Sequence, residues 1–318
     1  MPLSYYDLSA IVNEEKRLQK FLKQYGLSSS CPSECPKCGG AVGADPVIHQ
    51  GYPHYRCRVK GCQKLINARD GGIMEGSHLP REKFLDFLYF WAHDCAGQRA
   101  VDMLGLSSKT VAIMSLRCRL CVANQQEATV TSLGGRGVEV EMDEAELGRK
   151  PKGLHGHKKD VKSDVIGAYD RSSGILILET YDKLCPGEES LRRFGPPKRD
   201  DVYPLVERWV KEGSLLFTDG AKAYVSACAS LGIRHAYVDH QSGQYSRYEK
   251  IDRKLREIST QRIDGQWGNL KIWCNARYGV GEDHIWSVLK EFQWRHNLKA
   301  RDPFLTLLEH IRDGYYPC

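Results

Sequence analysis

Three carboxylates in this chain are marked by their surroundings. Asp143 follows the run Val138-Glu-Val-Glu-Met, and Asp219 follows Leu215-Leu-Phe-Thr and precedes Gly220. An ionised carboxylate among strand residues is costly to bury unless it meets a metal or another cation. In α/β sheets, active sites lie outside the C-terminal ends of strands. Asp264 opens the segment Asp264-Gly-Gln-Trp267-Gly-Asn-Leu-Lys271. On a helix, Asp264, Trp267 and Lys271 share one face. Trp267 can pack that face on a sheet while Lys271 meets a phosphate. Two carboxylates from strand ends and one from a helix can hold two Mg²⁺ (or Mn²⁺) ions. Such a pair, roughly 3.5–4 Å apart, stabilises both the attacking and the leaving oxygen at phosphorus. Magnesium suits this, because few carboxylates hold it and water and substrate phosphate complete its shell. Glu141, Glu144, Asp239 and Glu257 compete for the same role in a chain with 40 Asp and Glu.

A second chemistry belongs to sulfur. Five of the 12 cysteines lie between Cys31 and Cys62. Cys35-Pro-Lys-Cys38 is C-x2-C, and Cys57-Arg-Val-Lys-Gly-Cys62 is C-x4-C. Each pair can turn as a knuckle that aims two thiolates at one ion, and two knuckles complete a tetrahedral four-sulfur zinc site of structural type. Cys31 and His54 are near enough in sequence to be alternative ligands.

The elements that must position these residues follow from periodicity. Residues 1–30 carry a helical pattern through Leu8, Ile11, Val12, Leu18, Phe21 and Leu22. After the cysteine module, Phe84, Leu85, Phe87, Leu88 and Trp91 mark a core helix over 81–94. A short helix near 97–103 ends at Gly105, and Ser107-Ser108 can cap a third helix over 109–122. Three helices with a tight glycine turn between the last two match a helix-turn-helix. Beyond Gly134-Gly135, strands are predicted over 138–142, 164–169 and 175–179, with a loop over 185–201. Helices at 203–212 and 221–231 alternate with strands at 215–218 and 234–238. The polar stretch 241–256 reads as irregular, and helices are predicted at 261–278, 283–297 and 303–312. This order predicts a mixed α/β domain.

Composition bounds the function classes. Net charge is +6, which permits an anionic partner without demanding one. No run approaches the roughly 18 apolar residues of a membrane span. Met1 to Gln19 lacks a signal-peptide pattern. The expectation is an intracellular protein with no membrane partner, in the nucleus of a eukaryote or the cytoplasm of a bacterium.

Taken together, the motifs resemble the Merlin-type DDE transposases of eukaryotes and their bacterial insertion-sequence relatives. Tyr55-Arg-Cys57 through Cys62 is similar to the family's zinc-ribbon end, and Gly71 to Leu79 to the segment after it. Phe87-Leu-Tyr-Phe-Trp91 and Leu104-Gly-Leu-Ser-Ser-Lys-Thr110 resemble its helix-turn-helix. Val140-Glu-Met-Asp143-Glu144, Thr218-Asp219-Gly220 and Gln261-Arg-Ile-Asp264-Gly-Gln-Trp267 resemble its three catalytic segments. Val238-Asp-His240 and Glu291-Phe-Gln-Trp294-Arg295 are similar to two further blocks. The likeness spans about residues 35 to 297.

The resemblance implies an RNase H-like mixed sheet with helices, preceded by a zinc ribbon and a helix-turn-helix. It divides the chain into an N-terminal helix (1–30), zinc ribbon (31–75), DNA-binding region (78–130), catalytic domain (135–300) and C-terminal helix (301–318). Asp143, Asp219 and Asp264 would be catalytic, cutting and joining DNA at an element's ends. The family usually has Glu where this chain has Asp264, so the metal must move or the helix must approach by a methylene's length. The partners implied are terminal inverted repeats and target DNA, bound by a homodimer or larger assembly. Lys109, Arg117 and Arg119 on the third helix would enter a major groove. Lys158 and Lys159, in a basic stretch with His155 and His157, and Lys271 would meet phosphates. A domesticated DNA-binding protein with an impaired catalytic domain is the alternative, and another RNase H-like nuclease a third reading.

Overall fold

A computed structural model describes residues 2–27, 31–49, 52–70, 72–95, 97–149, 161–180, 198–277 and 284–314. They form two compact units, Met1–Asn124 with Ala300–Cys318, and Gln125–Lys299. The boundary after Asn124 falls inside the segment 78–130 read from the sequence. No helix among the described residues is long and apolar enough to cross a membrane.

In the first unit, the N-terminal helical pattern resolves into α1 (Tyr5–Val12) and α2 (Glu15–Gln24). Ser4 caps α1, its hydroxyl accepting from Asp7 N–H at 3.2 Å. Strands β1 (Val47–His49), β2 (Tyr52–Arg56) and β3 (Leu65–Asn67) form an antiparallel meander. Helix α3 (Arg81–Ala92) buries Phe84, Leu85, Phe87, Leu88 and Trp91, as its spacing predicts. Helix α4 (Gln98–Leu104) ends at Gly105, whose φ of +62° is a left-handed cap that glycine adopts without strain. Ser107 then accepts from Thr110 N–H at 3.1 Å to open α5 (Ser108–Thr129). The helix continues past Val122, where the expectation ended, because Ala123, Gln125 and Gln126 are also buried.

The second unit is built on a five-stranded sheet. Its strands are β4 (Glu139–Arg149), β5 (Val161–Asp170), β6 (Leu176–Thr180), β7 (Leu215–Thr218) and β8 (Arg234–Tyr237). The order is β6-β5-β4-β7-β8, with β4, β5 and β6 antiparallel and β7 and β8 parallel to β4. This is an RNase H-like sheet. Helices α6 (Arg199–Trp209) and α7 (Lys222–Leu231) cover one face, burying Val202, Val206, Trp209 and Tyr224 with Val140 and Met142. A hairpin of β9 (Ser246–Ile251) and β10 (Lys254–Ser259) leads into α8 (Gln261–Asn275). With α9 (Ile285–Asn297), α8 covers the other face over Val165, Leu176 and Leu178. The last helix, α10 (Pro303–Arg312), belongs to the first unit.

Two expectations change. The stretch 241–256, read as irregular, largely forms the β9–β10 hairpin. Its turn residues Asp252 and Arg253 hold φ of 51° and 63°, a primed turn without glycine, which hid the hairpin from a reading by turn residues. Strand β4 does not end at Asp143 but runs on to Arg149, because β5 pairs with it to the Arg149↔Val161 register. Its parallel pairing to β7 does stop at Glu141, so Asp143 lies just beyond the part that the two strands share.

Alternation along β4 turns Glu141 and Asp143 away from Val140 and Met142, toward α8. Opposite Asp143 in the ladder is Gly167. A Cβ there would lie 2.8 Å from the Trp267 ring, 2.9 Å from Leu178 and 3.0 Å from Ile263. The missing side chain lets α8 approach the sheet beside Asp143. Gly167→Ala is therefore expected to lower stability by about 1–3 kcal/mol through overpacking. Urea denaturation measures this, and an unchanged midpoint would show that α8 has room to spare.

Candidate active site

Asp143, Glu144 and Asp219 each offer an oxygen within 4.8 Å of the others. Asp264 lies close enough for its charge to act on the Asp143 carboxyl. All three sequence-selected carboxylates therefore meet around Asp143, and Glu144 joins them. Of the other competitors, Glu141 has a different place, described below, and Asp239 and Glu257 lie outside the carboxylate cluster.

Each carboxylate is held by its own element. Trp267 donates its indole N–H to Asp143 Oδ2 at 3.1 Å. Asp219 follows β7, and its Oδ1 accepts from Ala221 N–H at 3.0 Å. Gly220, at φ +82°, makes that turn under the Tyr237 ring, where a Cβ would lie 2.5 Å from a ring carbon. Asp264 sits in the first turn of α8, and Oδ2 accepts from the Thr260 hydroxyl at 3.1 Å. Thr260 in turn lies 3.3 Å from His240 Nε2. Tyr224 on α7 donates its hydroxyl to Glu144.

Burial pushes the Asp143 pKa up most, and the negative charges of Asp264 and Glu144 add to it, to about 8. Crowding of this kind is what a divalent cation relieves, so the donor set fits a metal held by carboxylate oxygens. His235 is pushed down to about 4 by burial, which outweighs the opposing pull of Asp219. It is therefore neutral, 2.9 Å from Thr218 Oγ1 at the end of β7.

Glu141 is fully buried. Its Oε2 accepts from the backbone N–H groups of Arg262 at 2.8 Å and Ile263 at 3.0 Å. Its Oε1 accepts from Arg171 Nε at 2.5 Å. Glu141 thus caps α8. Arg171, in the turn between β5 and β6, carried no signal in the sequence, because its partners lie 30 to 88 residues away.

The cysteine module forms its own centre in the first unit. Cys35, Cys38, Cys57 and Cys62 place their sulfurs together. Cys35 and Cys62 are 3.8 Å apart, and Cys38 and Cys57 3.6 Å. Four thiolates around a tetrahedral ion with about 2.3 Å bonds are about 3.8 Å apart, so the spacing fits one. The first knuckle closes by Gly39 N–H to Cys35 O at 2.8 Å, the second by Cys62 N–H to Val59 O at 2.9 Å. Burial opposes ionisation of Cys35, but the Lys37 and Cys38 N–H groups and the adjoining thiols outweigh it, lowering its pKa to about 7. Cys31 is turned elsewhere, donating to the Pro32 and Gly43 carbonyls, and His54 packs on His49.

Of the basic residues, Lys109 on α5 and Lys271 on α8 are exposed. Arg117 is half-buried and donates Nη1 to Ile73 O at 2.9 Å, and Arg119 is half-buried as well. The opposite side of α5 buries Met114, Ser115, Cys118, Cys121 and Val122. Lys158 and Lys159, with His155 and His157, lie outside the described residues.

The Asp143 environment makes a pH prediction for the metal-free protein. The carboxyl holds its proton more tightly folded, at about 8, than at its ordinary 3.8. Its contribution to stability is full below 3.8 and is lost as pH rises through about 8. Asp143→Asn should flatten the fall of melting temperature over this window, and Mg²⁺, which binds the ionised form, should oppose it. Parallel melting curves for wild type and variant would contradict this.

No curated protein matches the chain. Among solved structures, a chain of a simian T-cell lymphotropic virus intasome bound to PP2A regulatory subunit B56 gamma is 14% identical. The alignment covers 65% of this chain and 64% of that one, with a TM-score of 0.29, so the chain spans under two thirds of that relative's length. A pre-cleavage Mos1 transpososome chain is 10% identical over 74% of this chain and 80% of its own, with a TM-score of 0.20. With scores this low, neither likeness adds to the argument. The ISXO2-like transposase domain model, by contrast, matches residues 132–297, which span the whole carboxylate cluster. That is more than half of the chain, and it bears out the resemblance to insertion-sequence transposases: the chain belongs to the ISXO2-like transposase family.

Proposed function

We propose that this transposase cleaves DNA at an element's ends and transfers the strand by metal-dependent phosphoryl transfer at Asp143, Asp219 and Asp264. The observation that carries the reading is the cluster of Asp143, Glu144 and Asp219 on one RNase H-like sheet, with the charge of Asp264 also acting on half-buried Asp143. A divalent pair bound there, Mg²⁺ or Mn²⁺, would stabilise charge on the attacking and leaving oxygens. Asp143 stands close to both Asp219 and Asp264. Trp267 fixes the Asp143 carboxyl, and Thr260 fixes that of Asp264. Water, or a DNA 3′-hydroxyl, would attack phosphorus in line and pass its proton to solvent water. The new oxygen–phosphorus bond forms as the bond to the leaving oxygen breaks, and no enzyme nucleophile takes part.

Zinc at Cys35, Cys38, Cys57 and Cys62 gives the first unit a structural centre. Exposed Lys109, near the start of α5 after the tight Gly105 turn, is the proposed contact to duplex DNA, with Lys271 for a phosphate near the carboxylates. Half-buried Arg117, which also ties to the Ile73 carbonyl, and Arg119 belong to the same proposed DNA-binding helix. Pairing two DNA ends calls for two copies of the chain. The domains drawn from sequence stand as part of this proposal.

The close approach of α8 over Gly167 supports a reading in which the shorter Asp264 still serves an active enzyme rather than a DNA-binding relic. Strand transfer on the element's terminal DNA, with Mg²⁺ or Mn²⁺, tests this. Asp219→Ala and Asp264→Ala are expected to lose at least about 10³-fold in rate, a loss of about 4 kcal/mol in transition-state stabilisation. They should still bind the DNA. A wild type that binds those ends without cutting them, while Asp264→Glu cuts, would establish the relic instead.

A further inference from the structure

We propose that Glu141 and Arg171 are positioning residues for the third carboxylate, bracing α8 against β4 so that Asp264 meets Asp143. The inference rests on the metal-site reading of the carboxylates. Glu141 and Asp143 stand two residues apart on the same side of β4. Glu141 takes the two N–H groups of Arg262 and Ile263 at the start of α8. These are among the first donors of a helix, which have no partner within it. The next residue is Asp264. The carboxylate that caps α8 and the carboxylate that faces Asp264 thus sit on one rigid strand.

Arg171 fixes Glu141 and the chain leading into α8. Its Nε donates to Glu141 Oε1 at 2.5 Å. Nη1 donates to Glu139 Oε2 at 2.9 Å and Glu257 O at 2.7 Å. Nη2 donates to Ser259 O at 3.0 Å and Ser259 Oγ at 2.7 Å. All five N–H donors of the guanidinium are used, and its planar face lies 4.9 Å from the Phe217 ring centre. The turn that presents Arg171 is set by Asp170, whose Oδ1 accepts from Ser172 N–H at 2.8 Å and Ser173 N–H at 2.9 Å.

This brace answers the missing methylene of Asp264. A shorter third ligand needs its helix closer to the sheet. Gly167 supplies the room, and the ionic bridge from Glu141 supplies the hold. Lysine could not replace Arg171, since a point ammonium cannot span Glu139, Glu141 and the β10 carbonyls at once.

The test uses the full chain as wild type, Glu141→Gln, Arg171→Lys and Asp219→Ala. Hydrogen exchange of amides in 261–270 reports the brace without metal, and Mn²⁺ titration followed by electron paramagnetic resonance reports its consequence. The expected result for both brace variants is faster exchange confined to the first turns of α8. Mn²⁺ affinity should fall about 10-fold or more, in the range typical of groups that orient metal ligands, with DNA affinity unchanged. Wild-type exchange in the variants overturns the brace. Faster exchange with wild-type Mn²⁺ affinity, while Asp219→Ala loses binding, shows that the bridge serves stability alone and overturns the positioning role. Wild type and Asp219→Ala binding no Mn²⁺ alike would refute the metal-site reading and this inference with it. Should Glu141→Gln not fold, Arg171→Lys, which retains the buried carboxylate and a positive charge, decides the matter.

Discussion

Asp143 is a mostly buried carboxyl pressed against Asp264, Glu144 and Asp219, and the second unit is arranged so that this repulsion persists. Burial and like charge together cost stability wherever the group must ionise. The surrounding structure over-determines the site to hold it. Trp267 approaches from α8, Gly167 leaves space beneath, and Tyr224 pins Glu144 from α7. Such crowding is the environment that the proposed divalent cation would relieve.

The same logic explains the arginine between β5 and β6. Glu139 and Glu141 add two more acids to the strand that carries Asp143. Without Arg171 and Arg256, β4 would present Glu139, Glu141 and Asp143 as one negative row facing α8. Arg171 neutralises the part of the row that is structural, and leaves the Asp143 end to the site. Burial works against ionisation of Glu139, but Arg256 and Arg171 outweigh it and lower its pKa. One strand thus carries opposite electrostatic regimes a few residues apart.

Much of this was legible in the sequence, for physical reasons. Asp219 was found because a short apolar strand, an acid and a glycine encode a strand end directly. The cysteine spacing of 35, 38, 57 and 62 encodes two knuckles, and the four sulfurs do converge. Asp264 shares a helix face with Trp267, the residue whose indole meets Asp143, but its role as a third ligand rests on the family resemblance. The β9–β10 hairpin was missed because its turn uses Asp252 and Arg253 at positive φ rather than glycine. The length of β4 was missed because acids at 143, 144 and 146 look like a strand's end, whereas pairing with β5 carries them onward. Arg171 was invisible because its role exists only once β4, β10 and α8 are brought together. The tie of half-buried Arg117 to the Ile73 carbonyl likewise joins residues that no helical periodicity relates.

The most direct test of the account is diffraction from crystals of the full chain soaked in Mn²⁺, with anomalous scattering locating the ions. The account predicts manganese bound between Asp143 and Asp219 and a second site reached by Asp143 and Asp264, distinct from the metal held by the four cysteines. Manganese absent from all three carboxylates at a concentration that supports related phosphoryl-transfer enzymes, with α8 in the same place, would contradict it.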